Sequence, residues 1–109
     1  MRSRDFNRIV RHWTKTLRLE DWNIDIFRSK PDKSNQELHG VTKASHFQRF
    51  AQIQIFNSHM MTDEELEITL VHEMLHCYFP DTNVEQRMLT EQGVETLSQV
   101  LVQQRRAMN

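Results

Sequence analysis

An α+β fold is what this sequence predicts: an N-terminal helix, a small and mostly antiparallel sheet, and two C-terminal helices. Three observations carry that expectation. Residues 5–17 repeat apolar side chains at helical spacing, and residues 22–28 and 50–56 alternate apolar with polar. Two capping signals, Thr62 with Glu65 and Thr82 with Glu85, each open a further stretch of helical period.

In the first helix Phe6, Ile9, Val10, Trp13 and Leu17 form one apolar stripe, and Arg4, Arg8, Arg11, Lys15 and Arg18 fall outside it. Such a helix is suited to packing on a sheet. Trp22, Ile24 and Ile26 then share one face of a strand. Residues 29–37, which include Pro31, read as a loop or hairpin connection. Residues 38–45 suggest a short strand with a bend at Gly40. In the last strand Ala51, Ile53 and Ile55 share a face and glutamines lie between them, as suits a sheet covered on one side. The first capped helix starts at Thr62, with Asp63, Glu64 and Glu65 at its positive end, and should stop before Pro80. The second starts near Thr82 and runs to about residue 104, with Met88, Leu89, Val94, Leu97, Val100 and Leu101 as apolar positions. Gly93 in its middle costs about 1 kcal/mol against alanine, and a close helix crossing is the expected reason for it.

At 109 residues the chain reads as a single domain, 1–109, with one modest core. Only 38% of its residues are hydrophobic, so a bound metal adding folding energy suits it. The one cysteine, Cys77, excludes an intrachain disulfide and points to a reducing compartment. No apolar run of signal-peptide or membrane-spanning length occurs, which predicts a soluble, cytoplasmic protein with no membrane partner. The net charge of −1 hides an asymmetry: residues 1–20 carry six Lys/Arg against two acids, and residues 61–95 carry nine acids against the single Arg87. A basic helix is one way to touch nucleic acid. No aromatic-interleaved patch or nucleic-acid motif accompanies this one, so it reads as the solvated face of an amphipathic helix.

Residues 69–78, Thr-Leu-Val-His-Glu-Met-Leu-His-Cys-Tyr, hold the pattern H-E-x-x-H within an apolar helical segment. Residues four apart stack on one helix face, so His72 and His76 can offer both imidazoles to one metal ion. Glu73 lies about 100° round the helix, where its carboxylate reaches a water on that metal without ligating it. Two satisfied histidines beside a helix acid would be the bland alternative. A polar triad in a half-buried helix is costly unless something pairs with it.

Catalytic zinc sites usually have three protein ligands and a water. All six histidines lie at or before His76, so no third histidine follows the motif. Cys77 points to another side of the helix and reads as a small buried residue. Asp81 follows the helix end too closely to turn back onto the metal. A returning helix can deliver Glu91 or Glu95, with Glu85 an outsider. Glu91 lies nearer the apolar stripe, which favours it as the ligand. Glu95, one turn on, suits an acceptor that holds a ligating imidazole in the right tautomer.

The motif followed by Glu91-Gln92-Gly93-Val94-Glu95-Thr96-Leu97 resembles the zincin metallopeptidases of the gluzincin type. The likeness in style is to small metallopeptidases encoded by bacteriophages, and more distantly to ImmA/IrrE-like and SprT-like domains. Its specific part covers about half the chain, the two C-terminal helices. The resemblance implies a minimal zincin-like fold, with the motif glutamate, here Glu73, as general base and a glutamate from the next helix, here Glu91, as ligand. The Glu91…Glu95 spacing resembles the gluzincin E-x-x-x-D, with Glu in place of Asp, and the interval from His76 to Glu91 is shorter than in large gluzincins.

The expected activity is zinc-dependent hydrolysis of a peptide or protein substrate, with Zn2+ on His72, His76 and Glu91 and a water in the fourth position. His46, His59 and Tyr78 are the groups to consider as donors to the oxyanion. Residues 50–56 are the edge strand to which a peptide could add. Two rivals stand beside this: a non-catalytic, zinc-stabilised protein-binding module, and a metal-dependent hydrolase of a non-peptide substrate. Peptide deformylase needs an upstream cysteine ligand and the YbeY-type ribonuclease a third downstream histidine, and the chain has neither.

Overall fold

The computed structural model describes residues 1–31, 39–58, 61–79 and 84–108. The elements in order are α1 (Ser3–Thr16), β1 (Asn23–Ser29), β2 (Gly40–Ser45), β3 (Phe50–Phe56), α2 (Asp63–Leu75) and α3 (Val84–Ala107). This is an α+β fold of three helices and a three-stranded sheet. Leu38, most of the segment after β1, His59, Pro80, Asp81 and the Thr82 capping signal fall outside the described residues, as do the side chains of Glu85 and Met88.

The apolar stripe of α1 is buried through Phe6, Ile9 and Trp13, while Arg4, Arg8, Arg11 and Lys15 face solvent. Those three side chains join Ala51, Ile53 and Ile55 of β3 and Leu66, Leu70, Val71 and Met74 of α2 in one core. Thr62 caps α2 by accepting a hydrogen bond from the Glu65 amide at 3.1 Å. The helix ends at Leu75, earlier than the proline alone requires, because the amides of His76, Cys77 and Tyr78 bond three residues back to Glu73, Met74 and Leu75. His76 keeps helical backbone angles there, so its spacing from His72 is preserved.

The sheet differs from the expected arrangement in two ways. Its order is β1-β3-β2, with β3 antiparallel to β2 and parallel to β1. It is therefore mixed rather than mostly antiparallel. The chain leaving β1 enters the sheet at the far edge as β2, and the tight turn at residues 46–49, with Arg49 in the left-handed region at φ 51°, returns β3 between the two. As a result β3 is bonded on both sides and cannot accept an added strand. The edge strands are β1 and β2, and β2 is the one beside α2. The connection after β1 likewise joins two strands that are not neighbours, so it is no hairpin.

On α3, Val94, Ser98 and Val102 are buried, while Leu89, Leu97 and Val100 remain exposed. A Cβ added at Gly93 would meet nothing within 4 Å among the described residues. Among the described residues no close crossing explains that glycine. Among the described residues no helix is long and apolar enough to cross a membrane.

Candidate metal centre

The histidines of the motif stand one turn apart on the edge of α2, with ring centroids 5.1 Å apart. They point at α3, which runs antiparallel to α2. The carboxylate of Glu91 is shared between them: Oε1 lies 2.6 Å from His76 Nε2 and Oε2 lies 3.0 Å from His72 Nε2. Glu95, one turn on, lies with Oε2 at 2.7 Å from His72 Nδ1. A carboxylate on Nδ1 favours the proton there and leaves the Nε2 lone pair for a cation. Glu95 Oε1 in turn accepts from Gln99 Nε2 at 2.8 Å, so its orientation is fixed from two sides.

Ligand atoms of His72, His76 and Glu91 all lie within 4.8 Å of one another. The donor set fits zinc, because two imidazoles and a carboxylate are its usual partners, and a tetrahedral ion at ordinary bond lengths spaces its ligand atoms about 3.3 Å apart. The observed separations of 2.6 and 3.0 Å need only a small opening to admit it.

Glu73 takes no part in that cluster. It is buried and turned toward β2, where Thr42 Oγ1 lies 2.7 Å from its Oε1 and 3.0 Å from its carbonyl oxygen. Burial is the largest influence on its carboxyl and raises its pKa above the usual range. The Thr42 hydrogen bond and the electrostatic influence of His72 and His76 pull the other way without cancelling it.

These groups line a cavity of about 920 Å³, to which the strands and their flanks contribute His39, Thr42 and His46 and the helices contribute Ile68, Glu91 and Glu95. His46, edge-on to Trp22 at 5.6 Å, is therefore within the cavity, and so is His39, which the sequence did not single out. Tyr78 is elsewhere: its hydroxyl donates to the carbonyls of Leu17 and Arg18 and ties the turn after α2 to the end of α1. Cys77 is fully buried, and burial pushes its thiol up to about 11, which makes it unreactive.

Thr42 and Gly40 carried no sequence signal of a place beside Glu73, because their contacts with it bridge distant parts of the chain. Glu67, a fully buried acid on α2, was also missed. It sits three, four and seven positions before Leu70, Val71 and Met74, and that place in the apolar stripe was a readable sign. No family model, curated protein or solved structure matches the chain.

Proposed function

We propose that the chain is a zinc-dependent metallopeptidase, with the metal on His72, His76 and Glu91 and with Glu73 as general base. The observation that carries this reading is the convergence of both Nε2 atoms on one Glu91 carboxylate in the cavity wall, beside a buried Glu73 that stays out of the cluster. Zinc held there would supply a water of lowered pKa and a Lewis acid for the scissile carbonyl. Glu73 Oε2, the oxygen not held by Thr42, takes the proton from the attacking water and passes it to the leaving amine. Burial of Glu73 favours its protonated form, which suits delivery to the amine. A cation alongside favours its ionised form before attack.

The substrate lies along β2, which has one strand neighbour among the described residues and whose Gly40, Val41, Thr42 and Ala44 line the cavity. An extended peptide can pair with such an edge. This open edge favours a peptide over a compact substrate. A cavity that opens onto a triad of protein ligands favours catalysis over a purely structural metal, which a fourth ligand would close.

Metal analysis of protein purified without added zinc should give one equivalent per chain, and His72→Ala or His76→Ala should abolish it. Either variant retaining a full equivalent would place the site elsewhere. A peptide-library screen at neutral pH then uses Glu73→Gln as the matched blank. That variant should keep its zinc and lose about 10²–10⁴-fold in cleavage. Equal cleavage by both proteins would mean a contaminating protease.

A further inference from the structure

The carboxylate on which the proposed mechanism depends is seated by a strand as much as by its own helix. Two features of β2, on the same strand face at positions i and i+2, are directed at it. Thr42 Oγ1 lies 2.7 Å from Glu73 Oε1, across a separation of 31 residues. Gly40 supplies the space: a Cβ there would stand 2.8 Å from Glu73 Cγ and 3.0 Å from both Cδ and Oε2. Its φ is not positive, so the glycine serves for its bare surface and not for an unusual backbone.

A hydroxyl has one proton to donate. Here it faces the Glu73 carboxylate at 2.7 Å and the Glu73 carbonyl at 3.0 Å. The carbonyl already accepts from the His76 amide, and the carboxylate is the stronger acceptor when ionised. Left alone, a glutamate side chain with several rotatable bonds samples many orientations.

We propose that Thr42 is a positioning residue for Glu73: its hydroxyl holds Oε1 against β2 and leaves Oε2 facing the cavity, in the space Gly40 keeps open. This rests on the reading of Glu73 as the general base. The hydrogen bonds of the Thr42 hydroxyl go to Glu73, so it acts on the metal's surroundings through that residue.

The test uses zinc-loaded protein and acetohydroxamic acid, a bidentate zinc ligand whose hydroxyl proton is taken by a neighbouring carboxylate. Calorimetric affinities are compared for the parent, Thr42→Val, Thr42→Ser, Glu73→Gln and the Thr42→Val/Glu73→Gln double variant. Zinc stoichiometry and melting temperature are recorded for each. Glu73→Gln should weaken binding by tenfold or more, and Thr42→Val by about tenfold, the low end for a group that orients a site residue. Thr42→Ser should stay within about twofold of the parent. In the Glu73→Gln background Thr42→Val should cost nothing further, since the two act as one unit. The proposal is overturned if Thr42→Val binds like the parent, if it costs the same factor in both backgrounds, or if it loses zinc. A different result, Glu73→Gln binding as tightly as the parent or the parent not binding at all, would refute the base assignment itself and Thr42's role with it.

Discussion

Glu67 and Glu73 lie on the same helix and are both buried, with exposures of 0% and 6%, yet their surroundings treat them oppositely. Glu67 is met by donors from two other helices: Trp13 Nε1 at 2.7 Å, Arg105, and Arg106 Nε at 3.1 Å. Burial alone would raise its carboxyl, but the bonds from Arg105 and Trp13 and the charge of both arginines outweigh it and hold the pKa below the ordinary range. Glu73 has Thr42 as its side-chain donor and its pKa is raised. The charge count differs in the same sense. At the Glu67 end one acid faces two permanent cations. At the other end Glu91 and Glu95 meet two histidines, with Glu73 held apart on Thr42, and a divalent cation would balance the two clustered carboxylates. A buried acid with complete partners is a fastening of the fold, and one left under-compensated is a candidate for chemistry.

Exchanging the consequences of mutation between the two ends is the way to break this contrast. The largest effect should come from Glu91→Ala, which should lower zinc affinity far more than Glu95→Ala, for which an orienting role predicts about 10–100-fold at most. The reverse order in a competition titration would make Glu95 the ligand. Glu67→Ala should act on stability instead, with a loss of about 2–4 kcal/mol in urea unfolding of the zinc-free protein. The upper end is tempered because Arg105 and Arg106 are partly exposed and can turn to water. Because the folded pKa of Glu67 lies below its unfolded value, about 4.3, its stabilisation is complete above that value. It fades as pH falls through the folded pKa. The advantage of the parent over Glu67→Gln should therefore shrink in acid, and an advantage independent of pH would sink the ionic account. The smallest effect belongs to Gly93, which stands on α3 between Glu91 and Glu95 but whose added Cβ would meet no described residue within 4 Å. Gly93→Ala touches neither cluster and should stabilise α3 by up to about 1 kcal/mol with zinc affinity unchanged. A loss of stability would mean that something does cover that face.

Legibility in the sequence followed the range of the interaction. Thr62 with Glu65, and His72 with His76, are local patterns governed by helix geometry, and the structure places them as the spacing requires. The approach of Glu91 and Glu95 to the histidines required only that a second helix return along the first. Alternation in residues 50–56 assigned Ala51, Ile53 and Ile55 to the buried face correctly. It says which face is covered and nothing about which strands lie alongside, so the central place of β3 and its parallel pairing with β1 could not be read. Gly40 was legible as a bend but not as a seat for Glu73. The place of Glu67 in the apolar stripe of α2 was there to be read, but its partners Arg105, Arg106 and Trp13, which come from other helices, were not.

The pairing of α2 with α3 also works as an address. Down the seam, Glu67 meets Arg105, His72 meets Glu95 and His76 meets Glu91, one acid-to-base match near one end and two of the opposite polarity near the other. Laid parallel, the helices would bring Glu67 toward the Glu91 end and the histidines toward the arginines, so like charges would meet. Slipped by one turn so that Leu101 stood opposite Glu67, the pair would leave a buried carboxylate without a cation. Apolar side chains such as Val94 and Val102 tolerate such slips far better than paired charges do. Direction and register of the helix pair are thus written in the same few polar residues that form the candidate metal centre and its distant counterweight, so a substitution at either end tests the topology as well as the proposed chemistry.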